Sequence, residues 1–351
     1  MRAAVMKDWQ LRVDDLPDPT PGEGQVLTKV LACGICGSDL HLVKHGAEAR
    51  RLSDEMADEL AGDAPPDPMQ PVAFQPDTDM VMGHEFCCEV VELGPGCTNL
   101  AVGDLIVSLP IAFDTAGVHA LGFSNIYNGG YAEQMVLNEM LGIKVPAGLT
   151  ARIAALTEPL AVGVHAVAKS RIATGDSAII LGLGPVGLAV IAELKMRGIG
   201  PIVAADFSPR RRALAEQLGA DVVVDPNETT AIEAWRTVGQ ATQVVIFEAV
   251  GVPGMIEQAM RMAPRGARIL VVGACMQTDT IHPMLGIGKE LNVQFVLGYE
   301  PMEFSGALTA IAEGRVDLSP WLTGSVNIEG VPQAFADLAN PDAHAKILVE
   351  P

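Results

Sequence analysis

The sequence predicts an α/β chain: a doubly wound parallel sheet inserted in a β-rich domain. Three observations predict it. From 151 to 295, apolar strand-like runs alternate with helical periodicity, the pattern of βαβ units. One run is followed by Gly182-Leu183-Gly184-Pro185-Val186-Gly187, a glycine-rich turn that opens a helix. The first 150 residues instead read mainly as short β-rich runs separated by turns and loops.

The bounds agree. With 351 residues the chain is long enough for two cores, and 49% hydrophobic with 19% charged residues is a globular composition. A net charge of −20 argues against a nucleic-acid partner but names no substrate. Met1 to Met6 shows no signal-peptide core, and no apolar run reaches the ~18–20 residues of a membrane span. The six cysteines, at 33, 36, 87, 88, 97 and 275, do not resemble a disulfide framework, so a reducing cytoplasm is the expected compartment.

Taken in order, Gln25 to Val30 is a strand candidate after the turn-rich stretch 16–24. Residues 44–80 form an acidic insertion. Leu52, Met56 and Leu60 fall on one face of a short helix over 47–61, and a Pro- and Asp-rich segment follows; the reading is a solvated excursion, with a lid or oligomer contact as the alternative. Strand candidates follow near 88–93, 103–108 and 131–136, with a weakly patterned loop at 109–131. Residues 151–170 are helical. Strands are expected at 177–181, 202–206, 222–224, 244–248 and 269–273, with helices at 188–197 and 211–218 between them. The expected domains are 1–150, 151–295, and a return of 296–351 to the first.

Two motifs carry chemistry. In the fingerprint, Gly182 permits a tight turn, Gly184 lets backbone approach a pyrophosphate, and Gly187 lets helix and strand pack closely. Asp206 closes the next strand and is placed to accept hydrogen bonds from the adenosine ribose hydroxyls, favouring NAD over NADP. Arg210, Arg211 and Arg212 soften that preference, because an arginine can pair with a 2′-phosphate. The second motif is Cys33-Gly34-Ile35-Cys36-Gly37-Ser38-Asp39-Leu40-His41. Thiolate, imidazole and carboxylate together suit zinc, and Cys36, His84, Glu85 and Glu158 offer them. Spacing alone does not bring 36, 84 and 158 together. A four-cysteine site from Cys33, Cys36, Cys87 and Cys88 is the weaker alternative, since adjacent cysteines rarely reach one ion.

In order and combination, Gly34 to His41, Gly83-His84-Glu85, Thr157-Glu158-Pro159-Leu160-Ala161-Val162-Gly163-Val164-His165 and the fingerprint resemble the zinc-dependent medium-chain dehydrogenase/reductase (alcohol dehydrogenase) superfamily, nearest in motif to its sorbitol and threonine dehydrogenase branch. The resemblance implies a Rossmann domain inserted in a GroES-like catalytic domain. It implies one catalytic zinc on Cys36 and His84, with Glu85 or Glu158 completing the site. Asp39 would orient the ligating histidine; Ser38 and His41 would carry the alcohol proton away. Pro185, Val186, Arg211, Gly273 and Leu297 would meet the cofactor, Lys346 would approach the pyrophosphate, and Cys33 would only pack. The implied reaction moves hydride between a secondary alcohol or polyol, or the matching carbonyl, and NAD. A zinc-free quinone or enoyl reductase and a non-catalytic dinucleotide sensor are the alternatives. A homodimer or homotetramer is expected.

Two departures stand out. Residues 98–150 contain no cysteine, so the second, structural zinc of many relatives is expected to be absent. Cys36 and His84 are 48 positions apart, far more than in liver-type enzymes, and the insertion 44–80 supplies the excess.

Overall fold

The computed structural model describes residues 1–60, 71–238 and 243–351; helix side chains at 53, 54 and 56–60 also lie outside the description, and with them much of the expected 47–61 face. The chain divides into two compact units. One comprises Met1–Glu158, Leu322–Ala339 and Lys346–Pro351, the other Pro159–Trp321 and Asn340–Ala345.

The second unit is the parallel α/β layer. Its six strands run in the order Val222–Val224, Ile202–Ala205, Ser177–Leu181, Val244–Glu248, Arg268–Val271, Asn292–Phe295, all parallel. The central strands Ser177–Leu181 and Val244–Glu248 are buried at every position, as a sheet covered on both faces requires. Complete burial of a side chain such as Ile179, Ile246 or Phe247 contributes about 1.5–3 kcal/mol. Chain order reverses at Ser177–Leu181, whose neighbours are Ile202–Ala205 on one side and Val244–Glu248 on the other. The carboxyl end of such a strand is where doubly wound sheets bind ligands.

Five of these strands were expected from sequence; the sixth, Asn292–Phe295, was not. It is an edge strand, mostly exposed, and its Asn-Val-Gln-Phe lacks the apolar run that marks the others. The helix Pro301–Ala312 follows it within the same unit, and the first unit resumes only at Leu322, not at 296.

The first unit is built on a seven-stranded sheet: Gly142–Lys144, Leu105–Ser108, Glu85–Leu93, Gln25–Gly34, Lys346–Val349 and Leu322–Val326, with Gln134–Asn138 also paired to Gln25–Gly34. A three-stranded sheet holds Arg2–Lys7 between Gln10–Asp15 and Met80–Val81. The loop expected at 109–131 contains a small hairpin, Ile111–Asp114 with Gly117–Ala120.

The helix of the insertion differs from expectation. It spans Gly37–Leu60, so it begins inside the cysteine motif rather than at 47. Ser38, Asp39 and His41 therefore ride on its first turns. The Pro-rich stretch at 61–70 lies outside the described residues.

Candidate metal and dinucleotide sites

Strand register explains how residues far apart in sequence meet. Gln25–Gly34 runs antiparallel to Glu85–Leu93, with Gly34 opposite Glu85 and Cys33 opposite Phe86. The residues leaving one strand, Ile35 and Cys36, thus lie beside those entering the other, His84 and Glu85. Lys346–Val349 pairs with the same end of Gln25–Gly34, with Leu348 opposite Gly34, and the Ile35 N–H donates to Ile347 O at 3.0 Å. Three strand ends converge on one point. At Gly34 a Cβ would run into the Glu85 carboxylate, so the close approach requires glycine. Gly83 has φ +98°, and a Cβ there would meet the Tyr131 ring at 2.7 Å and Cys33 Sγ at 2.9 Å.

The ligand atoms of Cys36, His84 and Glu85 all lie within 4.8 Å of one another. Among the described residues this is the group of His, Cys, Asp and Glu able to hold a metal ion. Its composition, one thiolate, one imidazole and one carboxylate, fits zinc. Asp39 is completely buried behind it. Its Oδ1 lies 3.4 Å from His84 Nδ1, in ion-pair range but long for a hydrogen bond. Its Oδ2 accepts from Tyr131 Oη at 2.6 Å and from the Cys36 N–H at 3.0 Å. With Nδ1 turned to Asp39, the other ring nitrogen of His84 is left for a metal. Burial alone would lower the His84 pKa, but the charge and hydrogen bonds of Asp39, with Cys36, raise it well above the usual value. Burial likewise opposes ionisation of Asp39, yet His84, Tyr131 and the Cys36 amide hold it below the usual carboxylate range.

Glu85 has a second partner. Lys346 Nζ lies 2.6 Å from both of its oxygens and 3.1 Å from Ile35 O, with neither side chain exposed. This departs from the expectation that Lys346 approaches a pyrophosphate: its ammonium is enclosed in the first unit and committed to Glu85. Glu158, second residue of the helix Thr157–Ser170, is 8% exposed and near enough to Lys346 to act on its charge.

Ser38 and His41 are three residues apart on the helix and so share a face; His45, one turn further on, has its ring 6.2 Å from that of His41. The other cysteines do not join the group. All six are free thiols. Cys33 is enclosed, as expected of a packing residue, and burial drives its pKa well up. Cys87 and Cys88 are adjacent in one strand, so their side chains point to opposite faces; burial pushes Cys88 up to about 12 and Cys87 higher still.

The loop 109–131 is held by polar contacts and ring packing. His119 Nε2 lies 3.0 Å from Asp114 Oδ1, and Tyr127 Oη donates to Asp114 Oδ2 at 3.2 Å. The His119 and Tyr127 rings pack at 5.0 Å, and Gln25 Nε2 donates to Tyr127 Oη at 3.0 Å. Tyr127 thus packs within the loop, whereas half-buried Phe123 lies against His84, ring centres 5.5 Å apart.

In the second unit the fingerprint turn takes the expected form. Gly182 has φ +88°, and Gly184 caps the helix Pro185–Met196, with Pro185 and Val186 opening it. A Cβ on Gly187 would run into the Gly182 carbonyl, whereas one on Gly184 would meet nothing within 4 Å. The turn is therefore closed towards the sheet and open in front of the helix N-terminus, where a phosphate fits. Asp206 Oδ2 accepts from the Leu183 N–H at 2.7 Å and Oδ1 from the Ser208 N–H at 2.8 Å, which fixes the carboxylate beside the turn. The three arginines separate. Arg212 is bonded to the Asp206 and Phe207 carbonyls and to Asp225, and Arg210 to the Ala343 carbonyl. Arg211 Nη1 lies 3.9 Å from Asp206, and its buried Nε has no partner among the described residues. Gly273 is packed against Gly251 and Glu248; the Leu297 side chain is 94% exposed.

A fingerprint turn with an acidic residue after the second strand, and a Cys–His–carboxylate group in a separate β unit, define a metal-dependent pyridine-nucleotide dehydrogenase. Residues 22–147 match the alcohol dehydrogenase GroES-like domain and residues 185–313 the zinc-binding dehydrogenase domain. The chain is 34% identical to (R,R)-butanediol dehydrogenase of Bacillus subtilis, over 97% of this chain and 96% of that one. It is 26% identical to sorbitol dehydrogenase of the same species, over 95% and 92%. The crystal structure of 2R,3R-butanediol dehydrogenase from Bacillus subtilis superposes with a TM-score of 0.79 at 32% identity, covering 100% of this chain and 99% of that one. The chain belongs to the zinc-binding medium-chain alcohol dehydrogenase family, whose members are NAD(P)-dependent dehydrogenases acting on CH–OH donors.

Residues 151–170 are long enough and, on average, apolar enough to cross a membrane although polar residues interrupt them, but 67% of that stretch is buried within the fold.

Proposed function

We propose that this chain oxidises a secondary alcohol or polyol with NAD, or reduces the matching carbonyl, at a single zinc held by Cys36, His84 and Glu85. The observation that carries the reading is the donor group itself, buried and backed by Asp39. When bound, zinc would supply Lewis acidity that lowers the pKa of an alcohol hydroxyl, and a nicotinamide would supply the hydride acceptor. Asp39 fixes the ring of His84 and favours the tautomer that leaves its outer nitrogen free. Lys346 neutralises the carboxylates around the metal group, so that Glu85 and Glu158 coexist in a buried site. Ser38 takes the proton from the alcohol hydroxyl, and His41 hands it on along the helix face.

Asp206 binds the adenosine ribose hydroxyls and, beside the backbone, disfavours a 2′-phosphate; Arg211, 3.9 Å from Asp206 and with its buried Nε unpartnered among the described residues, is the arginine placed to counter it. NAD is therefore the favoured cofactor. A vicinal diol is the first substrate class to examine, on the likeness to a butanediol dehydrogenase. A homo-oligomer would cover Met284, Ile287, Phe295 and Leu297, apolar and exposed around the edge strand of the second unit.

The test combines metal analysis with turnover. The purified chain is expected to carry one zinc and to reduce NAD with secondary alcohols or diols. Cys36→Ala and His84→Ala should lose zinc and turnover while retaining NADH binding. Near-native turnover in both variants would sink the proposal.

A further inference from the structure

From sequence the insertion reads as a solvated excursion, with a lid or oligomer contact as the alternative; its segment 71–79 is fastened to the metal group by a traceable path. Segment 71–79 is held on three sides. Asp8 and Trp9 form a left-handed turn, φ 49° and 64°, between Arg2–Lys7 and Gln10–Asp15. The turn sets the Trp9 ring on Gly46 of the helix Gly37–Leu60 and edge-on to Phe74, ring centres 6.1 Å apart. The Asp8 N–H donates to Pro76 O at 2.7 Å, Arg50 Nη1 to Phe74 O at 2.8 Å, and Arg12 Nη2 to Asp79 Oδ1 at 2.7 Å.

The third side is the loop 109–131. The Val72 N–H donates to Val118 O at 2.8 Å. Asn125 makes the larger connection: its Oδ1 accepts from the Gln75 N–H at 2.6 Å, and its Nδ2 lies 3.1–3.2 Å from the carbonyls of Gln75, Thr78 and Asp79. One side chain thus engages four backbone groups, its two N–H donors shared among three carbonyls, in a segment with no regular secondary structure of its own. Two residues before Asn125 is Phe123, whose half-buried ring lies against His84. Between them, Ser124 Oγ accepts from the Ile126 and Tyr127 amides, so 123–127 is a closed turn that transmits the position of one end to the other.

The geometry points to Phe123 as a specificity-determining residue that limits substrate size beside His84, and to Asn125 as the positioning residue that holds it there through segment 71–79. The inference rests on the dehydrogenase reading above. The insertion then serves as a brace for the loop that carries Phe123, in a chain whose 98–150 stretch has no cysteine to hold that loop with metal.

The test compares kcat/KM for a large and a small secondary alcohol, 2-octanol and 2-butanol, in the zinc-loaded full chain. Phe123→Ala should raise the large-to-small ratio by roughly tenfold or more, the range of pocket-size discrimination. Asn125→Ala should move it the same way, and the double variant should add little to Phe123→Ala, because Asn125 acts through Phe123. Zinc content and NADH affinity should stay unchanged in all three. A readout independent of turnover is amide exchange in the metal-free chain: Asn125→Ala should speed exchange across 121–128 and 72–79 and leave Glu85–Leu93 as it was. Val72→Pro, which removes the other bond to the loop, tests the same coupling if Asn125→Ala does not fold. A wild-type protein that oxidises no alcohol overturns the dehydrogenase reading and, with it, this one. A wild type that turns over, with ratio and exchange unmoved by Asn125→Ala and Val72→Pro, overturns this inference alone, as would full additivity in the double variant.

Discussion

Lys346→Met removes the cation at the centre of the first unit and leaves Glu85 buried with neither oxygen paired to it. Lys346 Nζ stands 2.6 Å from both oxygens, and both side chains are fully buried. At an effective dielectric near 20 that separation corresponds to roughly 6 kcal/mol of attraction, comparable to the several kcal/mol that desolvating each ion costs. The intact pair is near break-even; the broken one is not, and leaving one buried charge alone costs about 3–5 kcal/mol. Burial pulls the Lys346 pKa down, but Glu85, with Cys36 and Glu158, lifts it above the usual lysine value. A raised lysine pKa means that the contribution is complete below about pH 10 and is lost only as pH rises through the folded-state value. At pH 7 and in the presence of chelator, the urea midpoint of the first unit should therefore fall by about 1–2 M. Lys346→Met with Glu85→Gln should recover at least half of the loss, because no charge is then stranded. A Lys346→Met midpoint within about 0.3 M of wild type, or a double variant no better than the single, would refute the large cost assigned to an unpaired buried ion.

Other outcomes follow from the same geometry. Asp39→Asn keeps the shape behind His84 but removes the charge, so zinc affinity should drop about 10–100-fold, read by competition with a chromophoric chelator, with NADH binding intact. Asp206→Ser should shift the NADP-to-NAD ratio of kcat/KM towards NADP, and Arg211→Ala added to it should reverse the gain; an unchanged ratio in Asp206→Ser would show that the carboxylate does not face the ribose. Glu139 accepts from the Thr98, Asn99 and Leu100 amides, which outweigh burial and hold its pKa below the usual range. A lowered carboxylate pKa stabilises above the unfolded value of about 4.3 and is lost as pH falls, so Glu139→Gln should cost about 1.5–3 kcal/mol at pH 7 and progressively less below pH 4. Equal unfolding midpoints at pH 7 would contradict it.

What was legible in the sequence was local. The fingerprint turn and Asp206 lie within one βαβ unit, so their chemistry follows from a short stretch and its flanks. The strands Ser177–Leu181 and Val244–Glu248 are apolar on both faces and announce themselves, whereas Asn292–Phe295, exposed at the sheet edge, carries no such pattern. Cys36, His84 and Glu85 meet through the register of two strands, which periodicity does not encode; the family resemblance supplied the grouping and the pairing supplies its cause. Lys346 was misplaced because its sequence neighbours give no hint of an acidic partner 261 residues away. Tyr131 and His45 were passed over for a similar reason: one is tied to Asp39 only across the fold, and the other becomes a neighbour of His41 only once the helix is seen to start at Gly37.

The strand that carries Lys346 has a consequence for how the protein is made. Lys346–Val349 joins the sheet of the first unit, yet the ribosome reaches it only after every other strand of both units. Until then Glu85 has no counter-ion and Gln25–Gly34 lacks a neighbour at its final residues. The sheet of the nucleotide unit lies wholly within Pro159–Trp321, and the late segment Asn340–Ala345 adds no strand to it, so that sheet is under no such delay. Contacts of such long separation slow folding, and they impose an order: the cofactor half can mature while the chain is still growing, and the metal half waits for the last strand to arrive.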